Sequence, residues 1–163
     1  MKKILEIDES KLTNNPLAQG LKIPVTRIYD DKRLKPDRDG IMLPIFHHLE
    51  RQQCVKIYYT PKLKKALIKL SPGAKDLFTF ILTSLESSID YVILDKEKYM
   101  HTYKISSVNT FKKAVSELCI NAFIYRTEQY PKDVFWINPN FYFCGSRVNK
   151  YPNNLSLKSE RSL

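Results

Sequence analysis

Val108, Phe111, Val115 and Leu118 recur at spacings of three, four and three residues, a period that a helix satisfies and a strand does not. On a helix these four form one apolar stripe that must be covered. Asn109, Thr110, Lys112, Lys113 and Ser116 are thereby forced onto the opposite side, where they make a short, polar and positive face. Ser106 or Ser107 is placed to cap the start, and the helix should run through Cys119.

The flanking segments alternate between the two periods. Ser71-Pro72 has the composition of a helix start, followed by Leu77, Phe78, Ile81, Leu82 and Leu85 on one stripe. Tyr91 to Leu94 reads as a short strand, and Asp95 as the cap of a helix from Lys96 to about Tyr103. Beyond Cys119, Ala122 to Thr127 and Val134 to Ile137 read as two strands joined by a turn containing Pro131. The expected order is helix, strand, helix, turn, helix, hairpin, which is that of a winged helix-turn-helix. The fold class expected is therefore α+β, a winged helix-turn-helix with a β-containing basic N-terminal extension.

Four regions are expected. Residues 1–49 mix turn formers with short apolar pieces and read as an N-terminal arm or small β lobe. Residues 50–70 are a basic strand-helix connector: Val55 to Thr60 suits a strand, Pro61 stops it, and Leu63, Leu67 and Leu70 follow at helical spacing. The winged-helix domain occupies 71–152, and the polar end, 153–163, reads as a flexible tail.

Charge points to the class of partner. Lys and Arg number 27 against 17 acids, a net of +10, which suits a phosphate-rich partner. The densest basic stretch is 50–70, where Arg51, Lys56, Lys62, Lys64, Lys65 and Lys69 face Glu50 alone. Lys62, Lys64, Lys65 and Lys69 are expected to contact phosphates, which adds salt dependence without sequence choice. On the 108–119 helix, Asn109 suits adenine, Thr110 and Ser116 suit several bases, and Lys112 and Lys113 suit guanine or backbone. Ser106 and Ser107 would serve the helix start and a phosphate, while Arg126 and Lys132 would meet the backbone from the hairpin. Double-stranded DNA is thus the expected partner, and two-fold recognition makes a homodimer the ordinary arrangement.

From Leu70 to Tyr151 the chain resembles the RepL-like plasmid replication initiators and their winged-helix relatives on phages and other mobile elements. The likeness lies in Leu70-Ser71-Pro72-Gly73-Ala74-Lys75-Asp76-Leu77, in Ser106-Ser107-Val108-Asn109-Thr110-Phe111 and in Leu118-Cys119-Ile120-Asn121-Ala122-Phe123-Ile124. It is fullest in Trp136-Ile137-Asn138-Pro139-Asn140-Phe141-Tyr142-Phe143-Cys144-Gly145-Ser146-Arg147. The resemblance implies a non-enzymatic protein that opens or marks an origin and recruits host replication proteins. Transcriptional regulation of such an element is the alternative, as is a phage structural or packaged protein using the winged helix for protein contacts. Asn138-Pro139 also reads, without any family, as a turn that ends a strand.

Enzymatic chemistry is not expected. Rolling-circle initiators that nick DNA hold a metal on two histidines separated by one residue, whereas His47 and His48 are adjacent and His101 stands alone. Adjacent residues diverge by about 100° on a helix and point to opposite faces of a strand. Gly20, Gly40, Gly73 and Gly145 form no phosphate loop. Cys54, Cys119 and Cys144 lack the spacing of a zinc site or disulfide framework, so no metal or cofactor is expected. Early acids at Glu6, Asp8 and Glu9 and the lack of a long apolar run predict a soluble, cytoplasmic protein without a membrane partner.

Overall fold

The computed structural model describes residues 15–25, 55–127 and 133–157. Expectations for Arg51, Cys54, His47, His48, Pro131 and Lys132, and for most of the N-terminal arm, lie outside these residues.

The chain is α+β. In order it forms β1 (Ile23–Val25), β2 (Val55–Ile57), α1 (Pro61–Lys69), α2 (Pro72–Thr83), β3 (Tyr91–Ile93), α3 (Lys96–Thr102) and α4 (Val108–Ile120). After these come β4 (Ile124–Arg126), β5 (Val134–Ile137), β6 (Tyr142–Cys144), α5 (Arg147–Lys150) and β7 (Leu155–Leu157). β3, β5 and β4 make an antiparallel sheet with β5 in the centre, β2 pairs antiparallel with β6, and β1 pairs parallel with β7. Among the described residues no helix is long and apolar enough to cross a membrane.

Local chemistry sets most helix starts. Thr60 accepts a hydrogen bond from the Leu63 amide at 3.2 Å, Ser71 from Ala74 at 3.3 Å and Asp95 from Lys98 at 2.9 Å, with Pro61 and Pro72 at first helical positions. Thr60 therefore ends the extended stretch expected to be strand; Val55–Ile57 is strand, and the Tyr58 amide still donates to the Phe141 carbonyl at 2.8 Å. Ser107 occupies the N-cap of α4, yet its side chain makes no capping bond; its carbonyl accepts from the Thr110 amide instead.

The core lies where α2 crosses α4. Leu77, Phe78, Phe80 and Ile81 meet Phe111, Ala114, Val115 and Leu118, all buried. Tyr99 brings α3 into this layer: its ring lies 5.5 Å from Phe80 and 5.6 Å from Phe111, and its hydroxyl donates to the Gly73 carbonyl at 3.1 Å. Val108, expected on the apolar stripe, is exposed instead. The first residue of a helix has no preceding turn beneath it, so its spacing to Phe111 does not bring it to the core. Phe135 and Trp136, adjacent on the central strand and so directed to its opposite faces, are both buried.

A knot of hydrogen bonds joins the sheet to the end of α4. Ala122 adopts φ +57°, which turns the chain out of the helix, and Asn138 closes over this turn. The Asn138 side chain donates to the Ala122 carbonyl at 2.6 Å and accepts from the Asn140 amide at 3.0 Å, while its own amide donates to Phe123 at 3.1 Å. The Tyr142 hydroxyl donates to the same Phe123 carbonyl at 3.0 Å. Phe78 packs edge-on to both Phe123 and Tyr142, at 4.9 and 5.1 Å.

The rest of the 136–147 segment is also engaged within the fold. Arg147 donates to the Pro139 carbonyl at 2.8 Å, and its guanidinium lies 3.2 Å from the centre of the Tyr58 ring. Gly145 has φ +97°, and a Cβ there would approach the Ser87 hydroxyl to 2.9 Å.

Both ends of the described chain are tied to one buried acid. Asp90 accepts from Tyr151 at 2.9 Å, pairs with Lys150 at 3.4 Å and receives the Asn15 side-chain amide at 3.4 Å. Asn154 donates to the Leu21 carbonyl at 2.9 Å. Residues 155–157, expected to belong to a flexible tail, form β7 because β1 offers them a partner strand.

Replacing Asn138 with alanine should lower unfolding stability by about 1–3 kcal/mol, since the half-buried Ala122 carbonyl and Asn140 amide lose their partner. Urea titration should show a reduced midpoint with an unchanged slope.

Candidate nucleic-acid interface

The outward side of α4 carries Asn109, Lys113, Ser116 and Ile120, separated by four, three and four residues and therefore stacked along one crest. All four are exposed. Two flanks border this crest. On one, Thr110 approaches the start of α2, where a Cβ on Gly73 would lie 4.0 Å from its methyl group. Glu117 accepts from the Ser71 amide at 2.7 Å and the Ser71 hydroxyl at 2.6 Å, pinning the α1–α2 junction to the same flank.

On the other flank a groove of about 960 Å³ separates α4 from the β4–β5 hairpin. Val108, Lys112, Ser116 and Ile120 line its helical wall; Tyr125, Arg126, Thr127 and Phe135 line the strand wall. Arg126 stands across the hairpin with its guanidinium 5.2 Å from the centre of the Phe135 ring. Lys96 from α3 reaches the same groove, as does Asp133. Cys119 is half-buried in the groove, and burial pushes its thiol above the usual range despite the opposing influence of Arg126.

The sequence-selected residues are thus brought together only in part. Asn109, Thr110, Lys112, Lys113 and Ser116 share one exposed surface, with Arg126 across the groove. Ser106 and Ser107 are exposed just ahead of α4. Lys62, Lys64, Lys65 and Lys69 belong to α1, all exposed, with Leu63 on the buried side and Leu70 following as the C-cap. Lys69 lies two residues before Ser71, so the end of this basic helix meets the Glu117 flank.

Sequence reasoning missed three apolar side chains on this surface: Ile120, Val108 and Tyr125. Ile120 had a signal, because it lies four residues beyond Ser116 and seven beyond Lys113, in step with the outward residues. Tyr125 alternates with buried Ile124 on β4. Ile68 and Tyr59 are likewise open to solvent beside the lysines of α1.

No family model, curated protein or solved structure matches this chain.

The raised thiol pKa makes Cys119 a slow nucleophile near neutrality, because less thiolate is present at a given pH. Alkylation followed at the Cys119 peptide by mass spectrometry should be slower at pH 7 than for a free cysteine. Its rate should rise through a midpoint above the usual thiol value of about 8.5.

Proposed function

We propose that the chain binds duplex DNA through a winged helix-turn-helix, with α4 entering the major groove and the β4–β5 hairpin lying against the adjoining backbone. The observation that carries this reading is the exposure of Asn109, Thr110, Lys112, Lys113 and Ser116 on one helix, with Arg126 across the groove from Lys112 and Ser116. Asn, Ser and Thr offer both hydrogen-bond donors and acceptors to base edges, and the cations suit guanine and phosphate.

The connectivity also supports it. The elements follow as α2, β3, α3, α4, β4, β5, the order of that motif, and the strand that returns from the hairpin sits between the other two. Lysines 62, 64, 65 and 69 extend the positive surface along α1 and supply contacts that do not discriminate sequence. The resemblance of residues 70–151 to RepL-like initiators favours a role in starting replication of a plasmid or phage-like element, with host replication proteins as further partners. Loss of replication on deleting the gene is the expected result; a change confined to transcription would assign a regulatory role.

Changing Asn109, Lys112 and Lys113 together to alanine should weaken duplex binding by about tenfold or more while leaving the circular dichroism spectrum unchanged. Unaltered affinity in the folded variant would overturn the reading. Replacing the α1 lysines should instead make the dependence of log affinity on log salt shallower, by about 0.9 for each phosphate no longer neutralised.

A further inference from the structure

Ile120 has 79% of its surface open to solvent, the highest value among the large apolar side chains described, although it stands on the crest shared with Asn109, Lys113 and Ser116. Val108 and Tyr125 are exposed by 39% and 44%, and all three line the groove between α4 and the hairpin. Isolated exposed apolar residues are ordinary on protein surfaces, but these three line one groove and share its surroundings. Those surroundings constrain what the three can contact. Lys96, Lys112 and Arg126 line the same groove, and Asp133 is the only acid among its described lining residues. An apolar protein partner would have to cover these cations without neutralising them, at an energetic cost. A nucleic-acid duplex presents phosphates to the cations and methyl groups to the apolar side chains at once.

We propose, building on the duplex-binding reading, that Ile120 and Val108 on α4 read the 5-methyl group that a pyrimidine displays in the major groove. Thymine is the common source of that group, and 5-methylcytosine carries it in the same position. Val108 and Ile120 are twelve residues apart. At 1.5 Å per residue this is about 18 Å along the helix axis, or about five base-pair steps at 3.4 Å each. They therefore contact different base pairs, and a preference for methylated pyrimidines is expected at two separated places in the site. The polar residues between them, Asn109, Lys112, Lys113 and Ser116, would read or position what lies in the interval.

The test compares alternating poly(dA-dT) with poly(dA-dU), which lacks only the methyl groups, and alternating poly(dG-dC) with its 5-methylcytosine form, all at one salt concentration. Wild-type protein should bind poly(dA-dU) about fourfold more weakly for each methyl group it would otherwise bury, the equivalent of about 0.8 kcal/mol. A matching gain on cytosine methylation identifies the same interaction with the second source. Ile120→Ala and Val108→Ala should each reduce the ratio between methylated and unmethylated duplexes. Both side chains are exposed, so thermal unfolding of the variants should match that of wild type. Equal binding to methylated and unmethylated forms would overturn the methyl reading and leave duplex binding intact. So would a preference that persists in the double variant, since it would belong to the shape of the DNA. Absence of binding to every duplex would overturn the underlying reading as well. A concentration-dependent dimer that Ile120→Ala dissolves, without any methyl preference, would assign the patch to a second copy of the chain and overturn the proposal.

Discussion

Asn138 holds the chain where three parts of the fold meet: the end of α4, the exit from β5 and the approach to β6. Its side chain and backbone join Ala122, Phe123, Asn140, Phe141 and Tyr142 within a few ångströms. These polar groups are largely shielded from water and must find partners within the protein. Asn supplies both a donor and an acceptor on one short side chain, which alanine or leucine does not. The Phe78, Phe123 and Tyr142 rings pack directly around this turn, so hydrogen bonding and the aromatic core fix the same geometry. With the base of the hairpin clamped there, β4 and β5 stand beside α4 at a set distance, and the groove is the space left between them.

Ser71 and Glu117 perform the matching task on the far flank. Two short hydrogen bonds tie the beginning of α2 to the last turn of α4. Because α1 ends directly before Ser71, this contact also sets where its lysines lie relative to the crest. The cations of the surface are consequently borne on elements fixed by uncharged or paired contacts beneath them: the covered sides of α1 and α4 are apolar, and the junction uses a serine and a carboxylate. Their positive charge remains at the surface, where it favours a polyanion.

Helix α4 is legible in the sequence because Phe111, Val115 and Leu118 keep helical spacing inside a segment otherwise polar, and the same spacing places Asn109, Lys112, Lys113 and Ser116 outward. The starts of α1, α2 and α3 are legible for a local reason: Thr60, Ser71 and Asp95 cap through bonds that span only three residues. Val108 departs from the pattern because periodicity describes a continuing helix and says nothing of its first turn. Trp136 and Phe135 show no alternation of burial, because the central strand is covered on both faces. Leu155–Leu157 reads as tail because its three residues carry no signal of a partner strand near the other end of the chain.

The sequence by itself determined the alternation of helix and strand, the two sides of α4 and the excess of positive charge, since each depends on neighbours a few residues apart or on composition alone. Only the tertiary structure decided that Asn138 is buried at a turn, that Asp90 gathers Asn15, Lys150 and Tyr151, and that Ile120, Val108 and Tyr125 surround one groove. Those outcomes depend on contacts between residues far apart along the chain, and the hydrophobic effect that drives them is non-directional. Which residues meet is fixed by the packing and hydrogen bonding of the whole fold.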